Sequence, residues 1–129
     1  MPRDPGACVL VVDDEPDLCE TLRVILQMHG YHVVTCRDGA EALAQLRAGV
    51  RPCLILLDLM MPRMNGMQFH EEQARDPALR QIPVVVLSGG GKLESTAAAL
   101  GMEWLRKPVE LPVLLETVRR FSSASTPAG

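Results

Sequence analysis

The sequence predicts an α/β domain, a (βα)5 doubly wound parallel sheet of five strands with helices on both faces. Three observations carry that expectation. Short apolar runs recur along the chain, and three are continuous rather than alternating, as in parallel strands buried on both faces. Segments of helical spacing separate the runs, and regular alternation of strand and helix forces a parallel sheet. Glycines and an Asp-Pro pair stand where the helices stop.

The first strand is Cys8-Val9-Leu10-Val11-Val12, followed by a helix with Leu18, Leu22, Ile25 and Leu26 on one face and Gly30 at its stop. His32-Val33-Val34-Thr35 is a weaker second strand. The segment 40–48, rich in Ala, Leu, Glu and Gln, is the second helix and ends at Gly49. Cys53-Leu54-Ile55-Leu56-Leu57 is the third strand, and the helix over 67–75 after it closes at Asp76-Pro77. Pro83-Val84-Val85-Val86-Leu87 is the fourth, with a helix over 93–100 closing at Gly101. Met102-Glu103-Trp104-Leu105 is a short fifth strand. The last helix, over 111–121, places Leu111, Leu114, Leu115 and Val118 on one face, with Pro112 harmless in its first turn. The domain spans 7–121, and the Pro, Gly, Ser and Ala of 1–6 and 122–129 read as flexible tails.

At 129 residues, 47% hydrophobic and 22% charged, the composition suits one globular domain. The net charge is −3 and no block of like charges occurs, so neither nucleic acid nor a membrane surface is an expected partner. No signal peptide is evident, and no apolar run approaches the roughly 18 residues of a membrane span. The four cysteines, Cys8, Cys19, Cys36 and Cys53, lack the paired spacing of a zinc site. They read as small apolar fillers in a reducing cytoplasm.

The chemistry lies where strands end. Asp13-Asp14-Glu15 follow the first strand, Asp58 the third, Ser88 the fourth and Lys107-Pro108 the fifth. In open α/β sheets ligands gather beyond the carboxyl ends of the strands, so these groups converge. Clustered carboxylates repel one another, and a hard cation such as Mg²⁺ relieves the repulsion while keeping sites for other oxygens. Lys107 and the Ser88 hydroxyl could then meet phosphoryl oxygens, since phosphoryl transfer asks mainly for alignment and charge neutralisation. Taken singly, each group has a plainer role: Asp14 or Asp17 could cap a helix, and Trp104 could be a core residue.

Four stretches together resemble the receiver domains of bacterial two-component signalling. They are Val11-Val12-Asp13-Asp14-Glu15, the run from Leu57 to Gly66 that includes Asp58-Leu59-Met60-Met61-Pro62, Val86-Leu87-Ser88-Gly89, and Trp104-Leu105-Arg106-Lys107-Pro108. The resemblance implies a flavodoxin-like sheet of strand order 2-1-3-4-5. It makes Asp58 the phosphoacceptor, with Mg²⁺ held by Asp14, by Asp13 through water, by Asp58 and by the backbone carbonyl of Met60. Ser88 and Lys107 grip the phosphoryl oxygens, Trp104 takes the place of a switch aromatic, and the bond before Pro108 is cis. The partners implied are a histidine kinase or phosphotransfer protein and a downstream protein target. A homodimer through the fourth helix and fifth strand is the expected self-association. The chain is then either a stand-alone regulator or a receiver from a longer regulator or hybrid kinase, and not an enzyme in its own right.

Local departures matter too. Ser88 is followed by Gly89-Gly90-Gly91, costly to order. With Lys92 this hints at a phosphate loop, but the GxxxxGK[ST] spacing fails. Met60, Met61, Met64 and Met67 read as packing residues. An aspartyl-phosphate phosphatase would normally carry a second Asp where Met60 stands, and a domain that had lost phosphorylation would not need all five polar residues.

Overall fold

The structure, a computed structural model, describes residues 7–58, 66–89, 95, 98–99 and 101–125. Five strands, β1 (Cys8–Val12), β2 (His32–Cys36), β3 (Leu54–Asp58), β4 (Val84–Ser88) and β5 (Glu103–Arg106), form one parallel sheet. Their order is β2-β1-β3-β4-β5. Four helices are fully described beside them: α1 (Pro16–Met28), α2 (Gly39–Arg47), α3 (Gly66–Arg75) and α4 (Leu111–Ser125). The helix expected over 93–100 lies mostly outside the described residues, where 95, 98 and 99 are helical. The segments 1–6, 59–65 and 126–129 also lie outside them.

Strand alternation sorts the core into two layers. Leu10, Val12, Ile55, Leu57 and Val86 pack with Ala42, Leu43, Leu46 and Phe69 of α2 and α3. Val9, Val11, Leu54, Leu56, Val85, Leu87 and Leu105 pack on the other side with Cys19, Leu22 and Leu26 of α1 and Leu114 and Val118 of α4. All five residues of β3 are buried, which is why that run is continuously apolar up to its final aspartate.

Helix ends follow local chemistry. Pro16 opens α1 after Glu15, with no side-chain cap, so neither Asp14 nor Asp17 does the capping work the sequence allowed. Gly30 closes the helix at φ 92°, a conformation glycine adopts without steric cost. α2 is capped reciprocally: Asp38 Oδ1 accepts from the Glu41 N–H at 2.8 Å, and Glu41 Oε1 from the Arg37 N–H at 2.8 Å. From within α3, the buried Gln73 Nε2 donates to the carbonyls of Leu79 and Ile82, both at 3.0 Å, pinning the chain that leads into β4.

Three expectations shift. β5 starts at Glu103 and runs to Arg106, leaving Met102 just outside it. α4 continues to Ser125, past the boundary expected at 121, and the Tyr31 and Ser122 hydroxyls lie 3.3 Å apart. Leu111 is exposed at the first turn of α4, while Thr117 is buried and donates to the Val113 carbonyl at 2.8 Å. Among the described residues, no helix is long and apolar enough to cross a membrane.

Candidate functional site

The crevice forms where β1 and β3, adjacent in the sheet, both end in acids. Asp13 follows Val12 and is fully buried, held by three neighbouring elements. Its N–H donates to the Cys36 carbonyl of β2 at 3.0 Å, and its carbonyl accepts from the Cys19 thiol of α1 at 3.2 Å. Its Oδ1 accepts from the Glu15 N–H at 2.9 Å, which fixes the carboxylate at the entry to α1. Asp58, the last residue of β3, is also buried, whereas Asp14 is exposed.

Each of Asp13, Asp14 and Asp58 offers a carboxylate oxygen, and these oxygens lie within 4.8 Å of one another. Oxygen donors at this spacing, one exposed and two buried, suit a hard divalent cation that keeps part of its water shell. Asp13 Oδ2 fits that role: it is buried without a directed hydrogen bond and lies 2.8 Å from the Lys107 ammonium.

Lys107 comes from the loop after β5, where its peptide bond to Pro108 is cis. Its Nζ lies 2.8 Å from Asp13 Oδ2, 2.8 Å from Glu15 Oε1 and 3.6 Å from Asp58 Oδ2. Burial alone would lower the pKa of this ammonium; the pairings with Asp13 and Glu15 and the charge of Asp58 outweigh burial and raise it. The lysine is therefore a fixed positive charge beside the acids. Burial, then the charge of Asp13, pushes the Cys19 thiol up to about 11, so it stays a neutral donor to the Asp13 carbonyl.

Ser88 ends β4 paired with Arg106, one step beyond the Asp58–Leu87 pair; its side chain lies outside the described residues. Met60 lies outside them too. Trp104 pairs with Val86 on the α2 and α3 side of the sheet, while Leu105 packs toward α1 and α4. At 40% exposure Trp104 is not a core residue. It borders a groove of about 370 Å³ whose walls include Lys107, Pro108 and Val113.

Sequence reasoning grouped Glu15 with the two aspartates but gave it no partner. Its pairing with Lys107 joins residues far apart in the chain, so no local signal could reveal it. The thiol of Cys19 under Asp13 escaped notice for the same reason.

Comparison with known proteins places this geometry. Residues 9–119 match the response regulator receiver domain family. The chain is 35% identical over 116 residues to the DNA-binding response regulator MtrA of Mycolicibacterium smegmatis, covering 86% of this chain and 48% of that protein. It is 36% identical over 122 residues to the response regulator MprA of Mycolicibacterium vanbaalenii, covering 92% and 52%. The chain thus spans about half the length of the curated relatives it matches. Among solved structures, the signal receiver domain of a signal transduction histidine kinase from Syntrophus aciditrophicus superposes with a TM-score of 0.83 at 31% identity, covering 96% of both chains. The Vibrio cholerae chemotaxis protein CheY4 superposes with a TM-score of 0.78 at 32% identity, covering 90% of this chain and 98% of its own. With strand order, acid cluster and family match in agreement, this chain belongs to the response regulator receiver domain family.

Proposed function

We propose that the domain is a phosphoacceptor of a two-component phosphorelay, taking a phosphoryl group onto Asp58 from the phosphohistidine of a histidine kinase or phosphotransfer protein. One observation carries the reading: the oxygens of Asp13, Asp14 and Asp58 cluster within 4.8 Å, with the Lys107 ammonium ion-paired to Asp13 and 3.6 Å from Asp58. The Asp58 carboxylate oxygen attacks phosphorus; a P–O bond forms as the P–N bond breaks, and the released imidazole takes a proton from solvent. Lys107 neutralises a phosphoryl oxygen, and Ser88, at the end of β4, donates to another. Asp14, Asp13, Asp58 and the Met60 carbonyl are the oxygens that would hold Mg²⁺, which, when bound, offsets negative charge on the phosphoryl group. Hydrolysis of the acyl phosphate by water resets the domain.

Trp104 is the group that reports the change to partners. It is 40% exposed on the edge strand β5 and borders the same groove as Lys107, a surface that a protein target or a second copy would meet. Two-component phosphorelays of this kind act in the cytoplasm.

Acetyl phosphate with Mg²⁺ tests the reading. The protein gains one phosphoryl group, labile to alkali and hydroxylamine. Sustained release of phosphate without accumulation indicates a phosphatase, and no labelling at all indicates an inert interaction module.

A further inference from the structure

In the described geometry Lys107 does not rest on the acceptor. Its Nζ is 2.8 Å from Glu15 Oε1 and 2.8 Å from Asp13 Oδ2, yet 3.6 Å from Asp58 Oδ2, beyond hydrogen-bond range. One of the ammonium's N–H groups donates to Glu15 Oε1, and its charge is ion-paired with Asp13 as well. Asp13 is buried and fixed by a hydrogen bond to β2 and by hydrogen bonds from α1 and its own turn, whereas Glu15 is exposed at the entry to α1. Among the described residues its side chain pairs with this lysine, and α1 needs nothing from it, because Glu15 precedes Pro16 without making a side-chain cap.

We infer that Glu15 is a positioning residue acting as a brake, competing with the phosphoryl group on Asp58 for the Lys107 ammonium. The inference rests on Asp58 being the acceptor. A phosphoryl group draws the lysine toward Asp58 and away from Glu15, so part of the attraction is spent breaking the existing pair. Glu15 also adds a negative charge to a crevice that already holds three carboxylates and must take up an anion. Both effects have the same sign: Glu15 lowers the affinity of the crevice for a phosphoryl group. Because Glu15 is more than half exposed, solvent weakens the pair and the effect is modest.

The test is calorimetric titration with beryllofluoride and Mg²⁺, which mimic the aspartyl phosphate, on the full chain. Glu15→Gln should tighten binding about two- to fivefold, the range expected for loss of one exposed pair. Glu15→Asp keeps the charge but is a methylene too short to reach Nζ, and it should tighten binding nearly as much. Combined with Lys107→Met, the Glu15→Gln change should lose most of its effect, since nothing remains to compete for. Unchanged or weaker binding by Glu15→Gln overturns the inference. So does wild-type affinity in Glu15→Asp, or an equal gain with and without Lys107, either of which reduces Glu15 to a distant charge. If the wild type itself fails to bind the mimic, the receiver function proposed above falls, and this inference with it.

Discussion

β3 and β5 belong to one sheet, one strand apart, yet they have opposite surroundings. Every residue of β3 is buried and its final residue is Asp58, the proposed acceptor, while β5 buries only Leu105. β3 has a strand on each side and apolar layers above and below. β5 is the sheet edge, tied to α4 by the forked pair of Glu103 with Arg120 at 2.8 and 2.9 Å. The contrast separates two tasks. The crevice acids end or follow buried strands, Asp58 on β3 and Asp13 and Asp14 after β1, whereas Lys107 and Trp104 sit on or beside the exposed edge strand. In the proposed function, a phosphoryl group at the centre is read out at the edge.

The largest expected effect concerns the centre. Leu56→Ala empties a fully buried site between β3 and the α1–α4 layer and should cost about 2–5 kcal/mol in chemical denaturation. Trp104→Ala at the edge should cost only about 1 kcal/mol. Equal losses would erase the contrast between the strands.

The next effect lies at the proposed metal oxygens. Losing even an outer partner of a metal site costs about 10- to 100-fold in affinity, so Asp14→Ala should weaken Mg²⁺ binding at least that much. Magnesium titration of both proteins measures it, and equal affinities would remove Asp14 from the site.

Coupling of centre to edge is read from Trp104, the only tryptophan. Beryllofluoride with Mg²⁺ should shift its emission, and Asp58→Asn should abolish the shift. Flat wild-type emission, with binding confirmed by calorimetry, would place the readout elsewhere.

The smallest effect is at the edge pair. The hydrogen bond from Arg120 lowers the Glu103 pKa against a slight opposing effect of burial, aided by the guanidinium charge. A carboxylate held low when folded stabilises the protein above its unfolded pKa, and that contribution is lost as pH falls through the folded value. Glu103→Gln should therefore flatten the acid side of the stability profile slightly. An unchanged profile would show that the pair ties nothing down.

Much of this was legible in the sequence, for identifiable reasons. The strands were readable because Val9 to Val12 and Leu54 to Leu57 are apolar on both faces, which few other structures require. Asp13, Asp14 and Asp58 were readable because each follows such a run. What escaped were contacts between distant residues, such as Glu15 with Lys107 and Gln73 with the carbonyls before β4. Periodicity also erred at Leu111, an apolar residue at the right spacing that is exposed at a helix end, and it gave no sign of the buried Thr117, whose hydroxyl is satisfied within its own helix.

The acceptor itself is tested most directly by locating the phosphoryl group. After incubation with acetyl phosphate and Mg²⁺, intact mass should rise by one phosphoryl group in the wild type and not at all in Asp58→Asn, with the labelled peptide containing Asp58. Labelling of Asp58→Asn at the wild-type rate, or a label mapped to another residue, would contradict the account.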